Sequence, residues 1–224
     1  GLLIPGNAPD DYSGGRIERI DLSTGKIERL YDTVDGHPLK GPNDIVFDKA
    51  GNFYFTDLGK QYSRQRELGG FYFAKADGSS VTEMDYHHIS PNGIGLSPDE
   101  KTVYFADTMT ARLWAFDLNA PGEISPASPF AKGRVVAAMP ELRYFDSLAV
   151  AASGNVCVAT ILMGGITTIE PGCAHSLIDL PDAFVTNIAF GGVDMRDAYI
   201  TLSGTGKLVK CRWPEPGLTL NFNA

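Results

Sequence analysis

The sequence is poor in the features that mark several large protein classes. Its 224 residues include three cysteines, Cys157, Cys173 and Cys211, with no Cys-x-x-Cys pair, so neither a disulfide framework nor a zinc site is predicted. We expect free thiols, mostly buried, in a reducing compartment. No apolar run approaches the ~18 residues of a membrane helix. Basic residues are also scarce. The formal net charge of −8 argues against a nucleic-acid partner, because phosphate binding needs a basic face.

Two common catalytic signatures are missing as well. The stretch Ser203-Gly204-Thr205-Gly206 is not a Gly-x-Ser-x-Gly nucleophile elbow, because it lacks the first glycine and the strand-to-helix context. The chain also has no phosphate-binding glycine loop. Neither an α/β-hydrolase nor a P-loop NTPase is therefore predicted.

Turn-forming residues are plentiful, with 25 glycines and 14 prolines, and long helical periods are absent. The stretch from Gly41 to Asp57 has a short apolar run, then Asp48-Lys49-Ala50-Gly51-Asn52, then an aromatic run that ends in Thr-Asp. This pattern predicts a strand, a turn and a second strand.

The same pattern recurs along the chain. Further copies open at Asn92, Asp146 and, more weakly, Asn187, so that successive copies from Asn43 onwards are 49, 54 and 41 residues apart. Repeats of about 40 to 50 residues with four predicted strands are typical of β-propeller blades. An amphipathic hairpin at residues 14–31 has the polarity of an outer pair of strands. Residues 120–140 are rich in proline, alanine and glycine and are expected to be a long connection. We therefore predict an all-β, single-domain propeller over residues 1–224, with about four and a half blades in the chain.

The leading residue of each repeat is a candidate metal ligand. The first strand of a propeller blade lines the central axis, so Asn43, Asn92 and Asp146 are expected to converge from three successive blades. Two amide oxygens and a carboxylate suit Ca²⁺, and less strictly Mg²⁺ or Mn²⁺. The alternative is that these residues only form turns, as Pro-Asn and Asn-Gly often do. Three copies in register favour the shared site.

Three more polar residues are candidates for substrate contacts in the same pocket. Asp57 and Asp107 end the second strands of their repeats, where they either contact substrate or cap the following turn. Asn187 is either a wall of the pocket or a turn former.

Four motifs resemble the SMP-30/gluconolactonase family, and the similarity runs from about Asp10 to Phe222. The motifs are Gly41-Pro42-Asn43-Asp44, Ser90-Pro91-Asn92-Gly93-Ile94, Phe145-Asp146-Ser147-Leu148 and Thr201-Leu202-Ser203-Gly204-Thr205-Gly206. The resemblance implies a six-bladed β-propeller with one divalent metal ion on its axis. Calcium is the first expectation, with Mg²⁺, Mn²⁺ or Zn²⁺ as alternatives.

The resemblance assigns Asn43, Asn92 and Asp146 to three of the four family metal ligands. The fourth is a glutamate in a Glu-Gly-Pro type motif of the first blade, which this chain does not contain. On this resemblance we expect about one and a half blades to be missing from the front of the ring.

The implied activity is metal-dependent opening of a small sugar-type lactone. The metal would polarise the carbonyl group, and Asp146 would activate water as a general base or, as a second choice, act as a nucleophile. Two alternatives use the same residues: a phosphotriester or fluorophosphate hydrolase, and a non-catalytic binding module stabilised by calcium. The expected partner is a small lactone, without nucleic acid or membrane, and the expected location is cytoplasmic.

Overall fold

A computed structural model describes residues 14–222, and all regular structure in that range is β. Its 22 strands form four larger sheets and three two-stranded ones. Within these residues there is no helix long and apolar enough to cross a membrane.

The described chain begins with an outer hairpin and a short two-stranded pair. The strands are β1 (Ile17–Ile20), β2 (Ile27–Tyr31), β3 (Thr33–Val34) and β4 (His37–Pro38). As predicted, the hairpin is mostly exposed. It is tied to the first large sheet through the Tyr31 hydroxyl, which lies 2.7 Å from the carbonyl oxygen of Lys75 and 2.8 Å from that of Ser80.

The first large sheet comes from the repeat that opens at Asn43. From the axis outward its strands are β5 (Pro42–Phe47), β6 (Phe53–Asp57), β9 (Gly69–Ala74) and β10 (Val81–His88). The loop between the second and third of these strands carries the short pair β7 (Lys60–Gln61) and β8 (Arg66–Glu67).

The second large sheet contains more strands than predicted. Its first three strands are β11 (Pro91–Leu96), β12 (Thr102–Asp107) and β13 (Arg112–Ala120). Residues 120–140, expected to be an irregular connection, contain β14 (Glu123–Ser125) and β15 (Arg134–Ala138), and both pair with β13. Strand β13 has nine residues, so it is long enough to pair with both β14 and β15.

The third and fourth large sheets follow the repeats at Asp146 and Asn187. The third has β16 (Tyr144–Val150), β17 (Val156–Ile161), β18 (Gly165–Ile169) and β19 (His175–Asp179). The fourth has three strands, β20 (Val185–Gly191), β21 (Asp197–Leu202) and β22 (Lys207–Arg212). The segment after it does not extend this sheet. Instead, the Leu218 N–H donates to Val150 O of the third sheet at 2.9 Å.

The four large sheets are arranged as blades of a β-propeller. Their inner strands β5, β11, β16 and β20 are in contact one after another. Each pair of neighbouring sheets encloses an apolar layer, and the first such layer contains Phe71, Phe105 and Phe116, all without solvent exposure. Burial against neighbouring blades is what stabilises a propeller, because one blade cannot cover its own two faces.

The prediction of mostly buried cysteines was wrong. Cys157 is buried between the third and fourth sheets, but Cys173 and Cys211 are exposed. Cys173 lies in a turn with φ of 71°, and Cys211 lies on the outermost strand of the fourth sheet. All three are free thiols.

Candidate functional site

A β-bulge occurs at the same place in each of the first three inner strands. In β5, Pro42 pairs with Asp57 and Ile45 with Phe55, so Asn43 and Asp44 together face one residue of the partner strand. The pairings of β11 and β16 show the same shift at Asn92-Gly93 and at Asp146-Ser147. A β-bulge bends the strand and changes the direction of its side chains at the point where it interrupts the pairing. Each predicted ligand is therefore the first residue of a bulge.

Two of the three predicted metal ligands line one cavity. Asn43 and Asp146 lie in the wall of a space of about 340 Å³, together with their neighbours Asp44 and Ser147. This size falls at the lower end of the range of about 300–1,000 Å³ found for small-molecule sites. Because the bulges place consecutive residues in the same wall, the site is richer in polar groups than simple strand alternation predicts.

Asn92 is not among the residues that line this cavity, and it is buried, with 2% exposure. Its side-chain nitrogen donates to Thr108 Oγ1 at 3.1 Å, but its side-chain oxygen has no hydrogen-bond partner among the described residues. The residue after it is a glycine for a steric reason: a Cβ on Gly93 would lie 2.5 Å from the backbone nitrogen of Leu148. The absence of that Cβ lets β11 approach β16, which carries Asp146.

The Asp146 carboxyl group has a pKa above that of an ordinary aspartate. Burial raises its pKa to about 6, and the negative charge of Asp44 acts in the same direction. Hydrogen bonding by the Asn92 side chain and the Ser147 N–H opposes this rise. Burial also raises the pKa of Asp44.

Asp44 is a site residue that the sequence-based prediction missed. Its carboxylate accepts hydrogen bonds from the backbone N–H groups of Ile45 at 2.8 Å and Ile94 at 3.3 Å, so it joins β5 to β11. The fully buried Thr56 makes a second connection, donating to Asn92 O at 2.6 Å and accepting from Asp44 N–H at 3.2 Å. These hydrogen bonds thus fix the position of β5, which carries Asn43, relative to β11, which carries Asn92.

The structure places Asp57 and Asp107 in loop-capping roles. The Asp57 carboxylate accepts hydrogen bonds from the N–H groups of Lys40, Gly41 and Gly59 at 2.6, 2.7 and 2.8 Å. The Asp107 carboxylate accepts from Ile89 N–H, Ser90 N–H and Oγ, and Thr110 N–H at 3.0–3.3 Å. Neither is among the described residues that line the cavity. Of the two roles predicted for them, this geometry fits turn capping.

Asp57→Ala is expected to lower the free energy of unfolding by about 2–4 kcal/mol, because it leaves three backbone donors near a buried carboxylate without their acceptor. Urea unfolding measures this loss. Asp179→Ala, which changes an exposed aspartate on β19, is the control and should have little effect. A stable Asp57→Ala protein with a raised KM would instead assign Asp57 to substrate binding.

Asn187 lies in the cavity wall, but it is not the counterpart of the other three ligands. In the fourth sheet Val185 pairs with Leu202 and Asn187 with Thr201, so Thr186 takes the position that Asn43, Asn92 and Asp146 occupy. The sequence comparison was one residue out of register. Asn187 corresponds to Asp44.

The residues present suit a divalent cation. A buried acceptor without a partner is rare in proteins, and the Asn92 side-chain oxygen is one. The Asn92 side chain also forms a hydrogen bond with Asp146, and amide and carboxylate oxygens are the ligands that Ca²⁺ prefers. No group of three or more His, Cys, Asp and Glu side chains in residues 14–222 is arranged to hold a metal. The candidate set consists mainly of amides.

The chain matches a known protein family. The family model for the SMP-30/gluconolactonase/LRE-like region matches residues 12–204. The chain belongs to this family. The resemblance predicted from the four motifs is confirmed.

Relatives in the SMP-30/gluconolactonase family include lactonases and calcium-binding proteins. Lactonase drp35 of Staphylococcus epidermidis is 42% identical over 80 residues, which cover 36% of this chain and 24% of the relative. Regucalcin of Danio rerio is 28% identical over 211 residues, 92% of this chain and 69% of the relative. The solved structure of the calcium-binding protein regucalcin from Agrobacterium tumefaciens is 21% identical, with a TM-score of 0.71, and the match covers 91% of this chain and 73% of that chain.

The alignment with drp35 thus spans about a quarter of that lactonase, 24% of its length. The structural likeness to regucalcin establishes the propeller fold of the described residues.

Proposed function

We propose that this protein is a divalent-metal-dependent hydrolase that opens a small, sugar-type lactone. The observation that carries the proposal is the buried, unpartnered oxygen of Asn92 beside the Asp146 carboxyl group, whose pKa is raised to about 6. A purely structural turn would have no need of either feature. The family model and the lactonase relatives support the choice of reaction. The proposed ring has six blades, of which residues 14–222 build four and an outer hairpin.

Asn43, Asn92 and Asp146 would hold the metal ion, and calcium is the proposed ion. The calcium-binding regucalcin structure supports this choice. When bound, a divalent cation polarises a carbonyl oxygen and stabilises negative charge that develops on it. The two asparagines are neutral, so only Asp146 among the three reduces the positive charge of the ion.

Asp146 acts as the general base in this proposal. Among the three proposed metal ligands, Asp146 is the only one whose side chain can accept a proton from water. As the water oxygen adds to the lactone carbonyl carbon, its proton passes to Asp146. The ring C–O bond then breaks, and the departing ring oxygen takes the proton back to give a hydroxy acid. Asp44 and Thr56 hold the strands of Asn43 and Asn92 in register during these steps.

Hydrolysis assays with calcium test the proposal. We expect turnover of a sugar lactone with calcium, and a loss of about 100-fold or more after removal of the metal with EDTA. Calcium at about 100 times its Kd should also raise the free energy of unfolding by about 2.7 kcal/mol. The Asn92→Ala variant should lose this stabilisation, whereas Asn119→Ala, at an exposed position of β13, should retain it.

Other outcomes decide between the alternatives. Turnover of phosphotriesters but not lactones would assign the same site to the other hydrolase class. Calcium binding without turnover of either substrate would identify a binding module.

A further inference from the structure

Exposed apolar side chains are concentrated at one end of the third and fourth large sheets. Leu142, Leu162, Met163 and Phe184 are 38–73% exposed, and together we call them the apolar rim. All four lie in the loops at the end of the sheets where the inner strands β16 and β20 begin. At the opposite end, the described turns between the first two strands of the four large sheets carry one exposed large apolar side chain, Val193.

Backbone hydrogen bonds join the apolar rim to the wall of the 340 Å³ cavity. Ser203 lines the cavity, and its N–H donates to Phe184 O at 2.8 Å. The Leu162 N–H donates to Ala183 O, also at 2.8 Å, so the rim loops of the third and fourth sheets lie against each other. Leu142 precedes β16, whose first residue pairs with the last residue of β17, and it therefore lies at the same end as Leu162. The rim thus borders the cavity on the side of these two sheets.

Leu162 is an unfavourable residue for its place in the turn after β17. Its φ angle is 74°, in the left-handed region that glycine and asparagine adopt at lower cost. Its side chain is exposed, so it gains little hydrophobic stabilisation from folding. Residues strained in this way cluster at functional sites. Contact with a ligand accounts for a bulky apolar side chain at a position where it costs stability.

The surface of the apolar rim suits a hydrocarbon chain. Its side chains carry no charge, and the polar backbone groups of Phe184 are already paired, the N–H with Asp182 Oδ1 at 2.7 Å and the carbonyl oxygen with Ser203. A stable protein partner needs about 20–30 residues a side and several hydrogen bonds, which four apolar side chains do not provide. A chain attached to a ring in the cavity needs only apolar surface beside it.

We propose that the apolar rim binds an aliphatic chain carried by the lactone ring, so that kcat/KM is higher for a chain-bearing lactone than for the same ring without the chain. This inference rests on the proposed function, because it concerns the substrate of the same site. The ring lies in the cavity with its carbonyl group at Asp146, and the chain lies outside the cavity on the rim. Contact removes apolar surface of both chain and rim from water, which is favourable for each methylene group.

A binding measurement tests the apolar rim without the reaction. Methyl and hexyl β-D-glucopyranoside share one ring and differ by five methylene groups. Ligand-observed NMR should show at least about 30-fold tighter binding of the hexyl compound, or about twofold per methylene, as expected for a chain that stays half in contact with water. Equal affinity for the two compounds, or binding of neither, would overturn the proposal.

The Leu162→Asn variant separates ligand binding from packing. Asparagine tolerates a positive φ, so the midpoint of urea unfolding should stay the same or rise. The preference for the hexyl compound should nevertheless fall about 5- to 10-fold, because apolar contact area is lost. Met163→Ser should lower the preference by a similar factor. A lower unfolding midpoint of Leu162→Asn with an unchanged preference would make Leu162 a packing residue and would refute the proposal.

Phe130→Ser is the matched control for these two variants. Phe130 is also exposed, but it lies in the turn between β14 and β15, outside the apolar rim. Its replacement should leave the preference for the hexyl compound within about twofold of the parent value. A fall as large as that of Leu162→Asn would mean that the chain adsorbs to any exposed apolar side chain, and the proposal would fail.

Lactone kinetics test the consequence for the reaction. δ-Hexalactone and δ-decalactone have the same ring, with a methyl and a pentyl substituent. We expect kcat/KM to be about 10- to 20-fold higher for δ-decalactone, and this ratio should fall in Leu162→Asn but not in Phe130→Ser. Equal kcat/KM for the two lactones would overturn the proposal. Tighter binding of hexyl glucoside without turnover of either lactone would refute only the reaction.

Sedimentation with phosphatidylcholine vesicles tests a lipid surface as the other occupant of the apolar rim. The protein should stay in the supernatant, because four side chains are expected to bind one chain and not a bilayer. Sedimentation with the vesicles that is lost in Leu162→Asn, together with equal affinity for the two glucosides, would assign the rim to membrane docking and refute chain recognition.

Discussion

The Asp146→Asn variant is expected to lower kcat for lactone hydrolysis by about 10²- to 10⁴-fold, the usual contribution of a general base. Asparagine has nearly the same shape as aspartate, so the bulge in β16 and the packing around it should persist. It cannot accept the proton of the attacking water. Measurement at saturating calcium separates this loss from weaker metal binding, since Asp146 is also a proposed ligand.

Two comparisons make the result decisive. Asp179→Asn changes an exposed carboxylate on β19 and should retain the parent rate. Circular dichroism should show that Asp146→Asn remains folded. A folded Asp146→Asn protein that keeps a tenth or more of its lactonase activity would exclude Asp146 as the base.

The Phe105→Ala variant is expected to lower the free energy of unfolding by about 3–5 kcal/mol. Phe105 is completely buried between the first and second blades, with its ring centroid 5.5 Å from that of Phe71 and 5.6 Å from that of Phe116. It also meets His88 in a T-shaped contact at 4.8 Å. Alanine would leave a cavity at the interface that joins the two blades carrying Asn43 and Asn92.

Urea unfolding followed by circular dichroism measures this effect. Phe130→Ala is the matched control, because Phe130 is 98% exposed and its removal should change stability by less than about 0.5 kcal/mol. A loss below about 1 kcal/mol in Phe105→Ala would mean that the interface between these blades relaxes around the cavity.

Much of the fold was predictable because its signals are local. The alternation of apolar residues and the turn at residues 48–52 predicted β5 and β6, and the structure contains both. The same reasoning predicted the inner pairs of the next two blades. Residues 120–140 were misjudged, because their glycine and proline content conceals two short strands that exist only by pairing with β13.

The candidate site was only partly predictable. Asn43, Asn92 and Asp146 could be chosen because each opens a repeat, and the structure brings them to one region. Asp57 and Asp107 could not be assigned, since a buried carboxylate that caps a loop and one that contacts substrate have the same local sequence. The backbone donors around Asp57 come from residues on both sides of it, including Lys40 on the preceding loop.

The sequence by itself determined the β-repeat, the acidic and cysteine-poor character of the chain and the family to which it belongs, because composition, alternation and motifs are properties of short stretches. Only the tertiary structure decided which residues of each repeat reach the cavity. One extra residue in each inner strand places Asp44 beside Asn43 and puts Thr186, not Asn187, at the ligand position. A bulge depends on the pairing between strands, and that pairing is set by how the blades pack around the axis.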